Sequence, residues 1–161
     1  MKNLKIWSIA MMLIMAVTAC DETKPEPGPE PGPGPGGDGD IASMVNEWVI
    51  STYNGAEPEF VVYIDFNDDN TFTMYQQVYS LDFVCYEGSY SLDGDVLTGT
   101  YTDGKNWASA YKVGVSEDGK TLTMSSQEDV SMVSVYTSTT IPEEVKAEAS
   151  ATRAMEVVPF L

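Results

Sequence analysis

Hydrophobic and polar residues alternate with a period of two along most of the chain after residue 40. In the segment 60–66, for example, Phe60, Val62 and Ile64 fall on one face, whereas Tyr63 and Asp65 fall on the other. Such alternation is typical of a β-strand with one buried face. The pattern predicts eight strands, at 47–53, 60–66, 71–77, 83–92, 96–101, 107–115, 121–126 and 130–137.

Short turn sequences separate these segments. Residues 67–70, 93–95, 103–106 and 117–120 are rich in Asn, Asp and Gly, which tolerate the left-handed backbone of tight turns. Hairpin-length connections without a helical crossover predict antiparallel pairing between consecutive strands. Because closing such a sheet removes its exposed edges, the fold expected for residues 41–161 is all-β, an eight-stranded antiparallel up-and-down barrel.

The alternation ends near Thr140, and the pattern beyond it changes. Thr140 and Glu143 have the spacing of a helix capping box, and Pro142 is tolerated in a first helical turn. A short helix is therefore predicted to run to about residue 150. The tail 155–161 is apolar again, and we expect it to dock on the barrel.

The first twenty residues have the pattern of a secretory signal peptide. Lys2 and Lys5 precede an apolar run over 6–17, and small residues precede Cys20. The run is shorter than the roughly 20 residues of a membrane-spanning helix. The sequence around Cys20 resembles the lipobox of bacterial lipoproteins, in which the cysteine receives the lipid. This resemblance implies that residues 1–19 are removed and that acyl chains such as palmitate on Cys20 anchor the protein to a membrane.

Residues 20–40 form a predicted linker between the anchor and the barrel. Proline occupies alternate positions over much of it, and because proline fixes φ and removes hydrogen-bond donors, neither helix nor sheet is expected there. Asp21 and Glu22 resemble the acidic export tag of surface lipoproteins. The location expected is the bacterial cell envelope, at the outer membrane, with the face of that membrane left open.

Charge and residue types narrow the function classes. The formal net charge of −17 would repel the phosphate backbone of nucleic acids, so nucleic acid is not an expected partner. The chain has no histidine, which removes the commonest general base and the imidazole metal sites. No pair of carboxylates stands out by its spacing, and the segment 65–70 lacks the glycine of an EF-hand loop. We therefore expect no enzymatic activity, no catalytic residues, no metal and no cofactor.

The order of several strand and turn patterns resembles that of the lipocalin-like lipoproteins of gut bacteria over about residues 44–137. The resemblance rests on Trp48 at the start of the first strand and on the segments 66–72, 86–90 and 116–122. It implies a calycin-like β-barrel, and members of such families hold small apolar ligands in the barrel or have no assigned function. Trp48 would then be a structural plug at the barrel floor.

Aromatic and thioether side chains occupy many of the predicted inward positions, and the last strand is predicted to turn Val130, Met132 and Tyr136 inward. Five residues are predicted to line a binding site for a small apolar or amphipathic molecule: Tyr90, Tyr101, Trp107, Tyr111 and Met124. Buried tyrosine hydroxyls need partners, which favours a partly polar cavity, and Gly88 and Gly99 would leave room for it. The alternative is a barrel filled by its own side chains. Its loops would then bind a protein partner or act as an inhibitor, and the negative surface predicts that this partner is basic.

Overall fold

The computed structural model describes residues 44–151 and 157–161. The predicted signal peptide, Cys20 and the predicted linker 20–40 lie outside these residues. The described residues form eight β-strands followed by a helix. In chain order these are β1 (Asn46–Tyr53), β2 (Val61–Phe66), β3 (Thr71–Gln77), β4 (Val84–Asp93), β5 (Val96–Tyr101), β6 (Tyr111–Val115), β7 (Thr121–Ser126), β8 (Val133–Ser138) and α1 (Glu143–Ala151).

The strands form a closed barrel. Each strand pairs antiparallel with the next one along the chain, and β8 pairs with β1. The predicted fold, an eight-stranded antiparallel up-and-down barrel with a short helix after it, is therefore confirmed. β5 and β6 share a short seam, in which Val96 lies opposite Lys112 and Leu97 lies opposite Tyr111. The loop that follows β5 covers the rest of that seam.

The alternation in the sequence becomes the inside and the outside of the barrel. Alternate residues of β2 and β3 are buried: Val62, Ile64, Phe66, Phe72, Met74 and Gln76. They join one continuous core with residues of the other strands, in which Trp48, Leu122 and Tyr136 are fully buried. Burial of apolar surface at about 25 cal/mol per Å² is the main force that closes the barrel around this core.

β8 begins later than its sequence pattern indicates, at Val133. A turn precedes it, in which the Asp129 carboxylate accepts the N–H of Ser131 at 3.0 Å and the Asp129 carbonyl accepts the N–H of Met132 at 2.9 Å. Val130 is therefore 82% exposed and Met132 is 39% exposed. The prediction that both residues face inward is wrong, because the turn breaks the alternation before the strand begins.

β6 also begins later than predicted, at Tyr111. Trp107 lies in the loop between β5 and β6, where its backbone N–H donates to the Gly99 carbonyl at 2.9 Å. Its side chain is nevertheless buried in the core. The predicted inward position of Trp107 is confirmed, whereas its place in a strand is wrong, since a loop residue can bury its ring without joining the ladder.

The barrel has two different ends. At the end that we call the closed end, Met44 leads into β1 and the strands are joined by the turns 67–70, 94–95 and 116–120. At the other, the open end, the strands are joined by the loops 54–60, 78–83, 102–110 and 127–132. Residues 157–161 contact the barrel at the open end.

The predicted helix is confirmed, and it returns the chain from the closed end toward the open end along the outside of the barrel. Near its start, Lys146 Nζ donates to the Glu47 carboxylate of β1 at 3.1 Å. Further along, the Glu148 carboxylate accepts the N–H of Phe83, just before β4, at 3.0 Å. Within the residues that the structure describes, no helix has the length and apolar character needed to cross a membrane.

Candidate functional site

Residues 157–161, which we call the tail, occupy part of the open end of the barrel. The ring of Phe160 packs against Tyr53 and Phe60, with ring centroids 5.7 Å and 5.4 Å apart. Leu161 belongs to the buried core. The predicted docking of the apolar tail is confirmed for these residues, and its beginning at 155–156 lies outside the described part of the chain. The chain thus closes part of its own barrel mouth.

A buried glutamine holds the middle of the tail. Gln76 lies on β3 with its side chain turned inward, and the residue is fully buried. Its side-chain amide N–H donates to the Val158 carbonyl at 3.0 Å, and its side-chain oxygen accepts the N–H of Phe160 at 2.7 Å. Because an unpaired buried amide is costly, these two bonds explain how a polar side chain is tolerated inside the barrel.

Two tyrosines hold the ends of the tail. The Tyr86 hydroxyl donates to the Val157 carbonyl, and the Tyr101 hydroxyl donates to the main-chain oxygen of Leu161 at 2.7 Å. The two tyrosine rings contact each other edge to face, with centroids 5.8 Å apart. Burial raises the pKa of both hydroxyls above the ordinary tyrosine value, so both remain protonated donors at neutral pH.

The tail separates two clefts at the open end. The larger, of about 640 Å³, lies between the start of β4, the loop 102–110 and the tail. Its walls include Val84, Tyr86, Tyr101, Ala108 and Leu161. The walls of the second cleft, of about 480 Å³, include Tyr53, Phe60, Val78 and Phe160. Since Val158 and Pro159 line both clefts, any movement of the tail would change both.

The five residues predicted to line a binding site are all buried, but they lie in different parts of the barrel. Tyr101 lines the larger cleft, and Trp107 lines a third cleft, of about 250 Å³, beside Gly99. Trp107 and Tyr111 are in ring contact, with centroids 6.1 Å apart. Tyr90, Tyr111 and Met124 line none of these three clefts. Of the five predicted residues, the structure therefore brings three together near the open end: Tyr101, Trp107 and Tyr111.

Two hydrogen-bond donors in the barrel interior are unused. Among the described residues, neither the Tyr136 hydroxyl nor the indole N–H of Trp107 has a hydrogen-bond partner. Burial raises the pKa of Tyr111 to about 12, and burial together with the nearby Tyr111 raises the pKa of Tyr136 above its ordinary value. Both tyrosines therefore stay protonated. Because the Ser134 side chain lies close enough to the Tyr136 hydroxyl to offset part of this rise, the Trp107 indole N–H is the donor better suited to bind an oxygen atom of a molecule that reaches the interior.

The space beside two core glycines is already filled. A Cβ on Gly99 would lie 2.1 Å from Cε2 of Trp107. A Cβ on Gly88 would lie 2.1 Å from the Thr100 carbonyl oxygen and 2.7 Å from Cε1 of Phe72. The prediction that these glycines leave room for a ligand is therefore wrong. They instead let an aromatic ring and a neighbouring strand approach the backbone closely.

Trp48 fills the closed end. It is fully buried, and its indole N–H donates to the Met44 carbonyl at 2.9 Å, so the predicted plug is confirmed. At the same end the Tyr90 hydroxyl donates to the Asn67 carbonyl at 2.7 Å, and the Tyr90 ring packs edge to face on Phe66. Both donors have partners within the chain, which distinguishes this end from the interior beneath the open end.

Three aspartates stabilise the turns that contain them. The carboxylates of Asp69, Asp118 and Asp129 accept hydrogen bonds from hydroxyl and backbone N–H groups of their own turns, and the hydroxyl bonds contribute most to lowering their pKa values.

Burial, with a smaller effect of Glu87, raises the pKa of the Cys85 thiol to about 11, which makes it a poor nucleophile at neutral pH. In the described part of the chain, no three carboxylate or thiol side chains are grouped to hold a metal ion.

Sequence reasoning missed Gln76, although a signal for it was present. Gln76 follows Phe72 and Met74 at alternate positions and therefore shares their inward face. A polar residue on a buried face predicts a hydrogen-bond partner inside the barrel. That partner is the tail, 82 positions further along the chain, so no local pattern could identify it.

The comparisons with known proteins agree with the architecture. A family model described as a lipocalin-like domain matches residues 44–124, half of the chain. The match runs from the start of the barrel into β7 and includes Gln76, Tyr86 and Tyr101, whereas the tail lies beyond it. A comparison with curated proteins gave no match.

Proposed function

Because the chain belongs to the lipocalin-like domain family, we propose that it is a lipid-anchored binding protein of the bacterial cell envelope. Its ligand is a small apolar or amphipathic molecule, which binds at the open end of the barrel. The lipocalin-like fold fits a binding role and is typically not a catalytic fold. The anchor and the location rest on the lipobox-like sequence that ends at Cys20.

The larger cleft at the open end is the observation that carries the binding proposal. Its volume of about 640 Å³ falls within the range of roughly 300–1,000 Å³ that is typical of ligand pockets. Apolar walls from Val84 and Leu161 supply burial. The hydroxyl oxygens of Tyr86 and Tyr101, whose hydrogens go to the tail, can each accept a hydrogen bond from a ligand. This combination suits a molecule with an apolar body and one polar group.

A ligand longer than the cleft would extend toward the barrel interior. Leu161 belongs both to the cleft wall and to the buried core, so such a ligand takes the place of this side chain. Tyr111 and Trp107 belong to the same core cluster as Leu161, and Trp107 carries an unused donor. Of the predicted ligand-binding residues, Tyr101 lines the larger cleft, and Trp107, Tyr111 and Met124 belong to the core that a longer ligand would enter. Tyr90 has a structural place at the closed end.

The test fills the larger cleft without changing the core. Ala108 is exposed and lines that cleft, so Ala108→Trp should block it and weaken the binding of a fluorescent fatty acid at least tenfold. Ala56 is the matched control, since it is also exposed at the open end but lines none of the three clefts. Ala56→Trp should bind the probe within twofold of the unchanged chain, as measured by fluorescence titration.

Each outcome of this titration has a distinct meaning. Equal weakening by both tryptophans would show that the probe binds the outer surface of the open end rather than the cleft. Full binding by Ala108→Trp would exclude the larger cleft as the site. Absence of saturable binding by the unchanged chain would contradict the small-ligand function for this class of molecule.

The proposed anchor has its own test. Cells that express the full chain would be fed an alkyne analogue of palmitate, and the protein would be isolated and checked for label. We expect labelling of the unchanged chain, loss of label in Cys20→Ser, and unaltered label in Cys85→Ser. Label that persists in Cys20→Ser would contradict lipidation at that residue.

An exposed apolar rim favours a second function, the binding of a protein partner. Among the described residues, the large hydrophobic side chains that are exposed all lie at the open end: Tyr79 and Leu81 at 93% and 92%, then Val130, Val158 and Met132. Such rims mark interaction sites. A photo-reactive residue at position 81 should crosslink a protein in intact cells, whereas one at the exposed closed-end position Glu117 should not. Crosslinking from both positions, or from neither, would contradict a partner at the rim.

A further inference from the structure

The way in which the barrel holds the tail is recognition of a peptide main chain. The Tyr86 hydroxyl donates to the carbonyl of Val157, and the Tyr101 hydroxyl donates to the main-chain oxygen of Leu161. Between them, Gln76 bonds one carbonyl and one N–H of the tail. These polar contacts all go to backbone atoms, which every peptide carries, rather than to side-chain groups peculiar to this tail.

Gln76 imitates one residue of a neighbouring strand. Its amide donates to the carbonyl of Val158 and accepts the N–H of Phe160, the positions on either side of Pro159. An extended peptide presents its carbonyl and N–H groups at this spacing, as in the addition of a strand to a sheet edge. Proline fits between the two contacts because it has no N–H that would need a partner.

Without an occupant in the mouth, the same groups would be costly. Gln76 is fully buried beneath the tail, so removal of the tail would leave its donor and its acceptor to water or to a new occupant. A fatty acid can satisfy a hydroxyl, but its hydrocarbon chain offers neither a carbonyl nor an N–H to the Gln76 amide. A peptide offers both.

We propose that the open end of the barrel is a binding site for an extended apolar peptide segment of a partner protein, and that the tail is its occupant within the same chain. The inference rests on the second of the functions proposed above, and it names the part of the partner that binds. The partner segment resembles the tail in carrying an aromatic and an aliphatic side chain next to a proline. The apolar rim around Tyr79, Leu81 and Val130 then packs on the body of the partner.

The covalent link between tail and barrel sets the condition for exchange. A tethered segment competes at an effective concentration of the order of millimolar, so a free peptide binds the unchanged chain weakly. Loss of the apolar contacts of Phe160 and Leu161 releases the tail and exposes the site. The tail therefore acts as an internal competitor that only a segment with better contacts displaces.

The test uses the full chain and a labelled peptide. The probe is an acetylated, fluorescent peptide with the sequence of residues 157–161, Val-Val-Pro-Phe-Leu. The receptor is the full chain with Phe160→Ala and Leu161→Ala, which weakens the tail and leaves the strands unchanged. We expect this variant to bind the probe at least tenfold more tightly than the unchanged chain, as measured by fluorescence anisotropy.

The matched control lies in the peptide and cannot affect folding. Methylation of the backbone nitrogen of its phenylalanine removes the N–H that Gln76 accepts, and it should weaken binding at least fivefold. On the receptor side, Gln76→Leu in the opened variant should weaken peptide binding tenfold and leave the binding of the fluorescent fatty acid within twofold. Equal binding of the methylated and unmethylated peptides would overturn the proposal, since the main chain would not be recognised.

The remaining outcomes separate this inference from the small-ligand function. If the opened variant binds the fatty acid but not the peptide, the peptide site is overturned and the small-ligand site is supported. If it binds the peptide but not the fatty acid, the small-ligand site is contradicted and the peptide site is supported. If near-ultraviolet circular dichroism shows that the double variant does not fold, hydrogen exchange is measured on the unchanged chain instead. Excess unlabelled peptide should then speed the hydrogen exchange of the Phe160 amide at least threefold, and an unchanged rate would overturn the proposal.

Discussion

The closed and open ends of the barrel are built from the same eight strands but are completed in different ways. At the closed end, tight turns bring the strands together, and Trp48 and Tyr90 donate their polar hydrogens to carbonyls of that end. At the open end, longer loops hold the rim, and Gln76 and Tyr101 bond a tail that follows the whole barrel in the sequence. The buried polar side chains of the closed end bond residues at the start of the barrel and in its turns, whereas those of the open end bond the tail.

This difference separates a permanent plug from a replaceable one. Trp48 sits in a strand, and it cannot leave without breaking the pairing of β1 with β2 and β8. The tail joins no strand, and Val158 within it is largely exposed. Under the proposals above, a small ligand or a partner segment competes for the open end against the tail contacts alone.

The largest expected effect comes from removing the permanent plug. Trp48→Ala should lower the free energy of unfolding by about 3–5 kcal/mol, because it empties a fully buried site and deletes the bond to Met44. Phe160→Ala, its counterpart at the open end, should cost about 1–2 kcal/mol, since Phe160 is only partly buried. Urea unfolding of the full chain measures both. Equal costs would mean that the tail is as integral to the fold as the plug.

The next effect concerns the contact between Gly99 and Trp107. Gly99→Ala places a Cβ 2.1 Å from the Trp107 ring, and the ring must move, which should cost about 1–3 kcal/mol. The indole N–H resonance of Trp107 should shift in the NMR spectrum, whereas that of Trp48 at the closed end should stay. Thr98→Ala, at an exposed position of the same strand, is the control and should change neither. A shift of both indole signals would show that the two ends are coupled.

Alkaline pH should weaken the fold. An unfolded tyrosine ionises near pH 10, whereas burial raises the pKa of Tyr111 to about 12 and raises that of Tyr101 as well. The unfolded state therefore loses protons first, and the free energy of unfolding falls as the pH rises from about 10 toward 12, with the full contribution present below pH 10. Urea midpoints at pH 8, 10 and 11 measure this fall. Tyr111→Phe should make it less steep, and an unchanged slope would contradict a protonated Tyr111.

The smallest effect compares two tyrosine hydroxyls. Tyr136→Phe removes a buried hydroxyl without a partner and should leave the free energy of unfolding unchanged or raise it by up to about 1 kcal/mol. Tyr90→Phe removes a hydroxyl that bonds the Asn67 carbonyl and should lower it by about 1 kcal/mol. Thermal or urea unfolding distinguishes the two. A loss at Tyr136 as large as that at Tyr90 would mean that the Tyr136 hydroxyl has a partner in solution.

The strands could be predicted from the sequence because their signal is local. In β2 and β3 the buried and exposed positions alternate without a break, and the observed bounds fall within one residue of the predicted ones. The two late starts, at β6 and β8, have the same physical origin. A loop there carries hydrophobic residues at strand-like spacing. A local turn at Asp129 exposes Val130, whereas packing against distant parts of the chain buries Trp107.

The candidate site was harder to predict, since it is made of contacts between distant parts of the chain. The pattern placed aromatic residues inside the barrel, and Tyr101 does line the larger cleft. It could not show that Gln76 meets Phe160, or that the space beside Gly99 is filled by Trp107, because neither contact leaves a mark on neighbouring residues. The direction of a side chain is a local property, and its partner is not.

The position of Met44 has a consequence for how the domain can be held. Met44 contacts Trp48 at the closed end, so the chain enters the barrel on the side away from the mouth. A bead, a sensor surface or a fused protein attached ahead of this residue therefore pulls on the closed end, which Trp48 fills. Attachment after Leu161 would instead load the tail, the segment whose release is proposed to open the barrel.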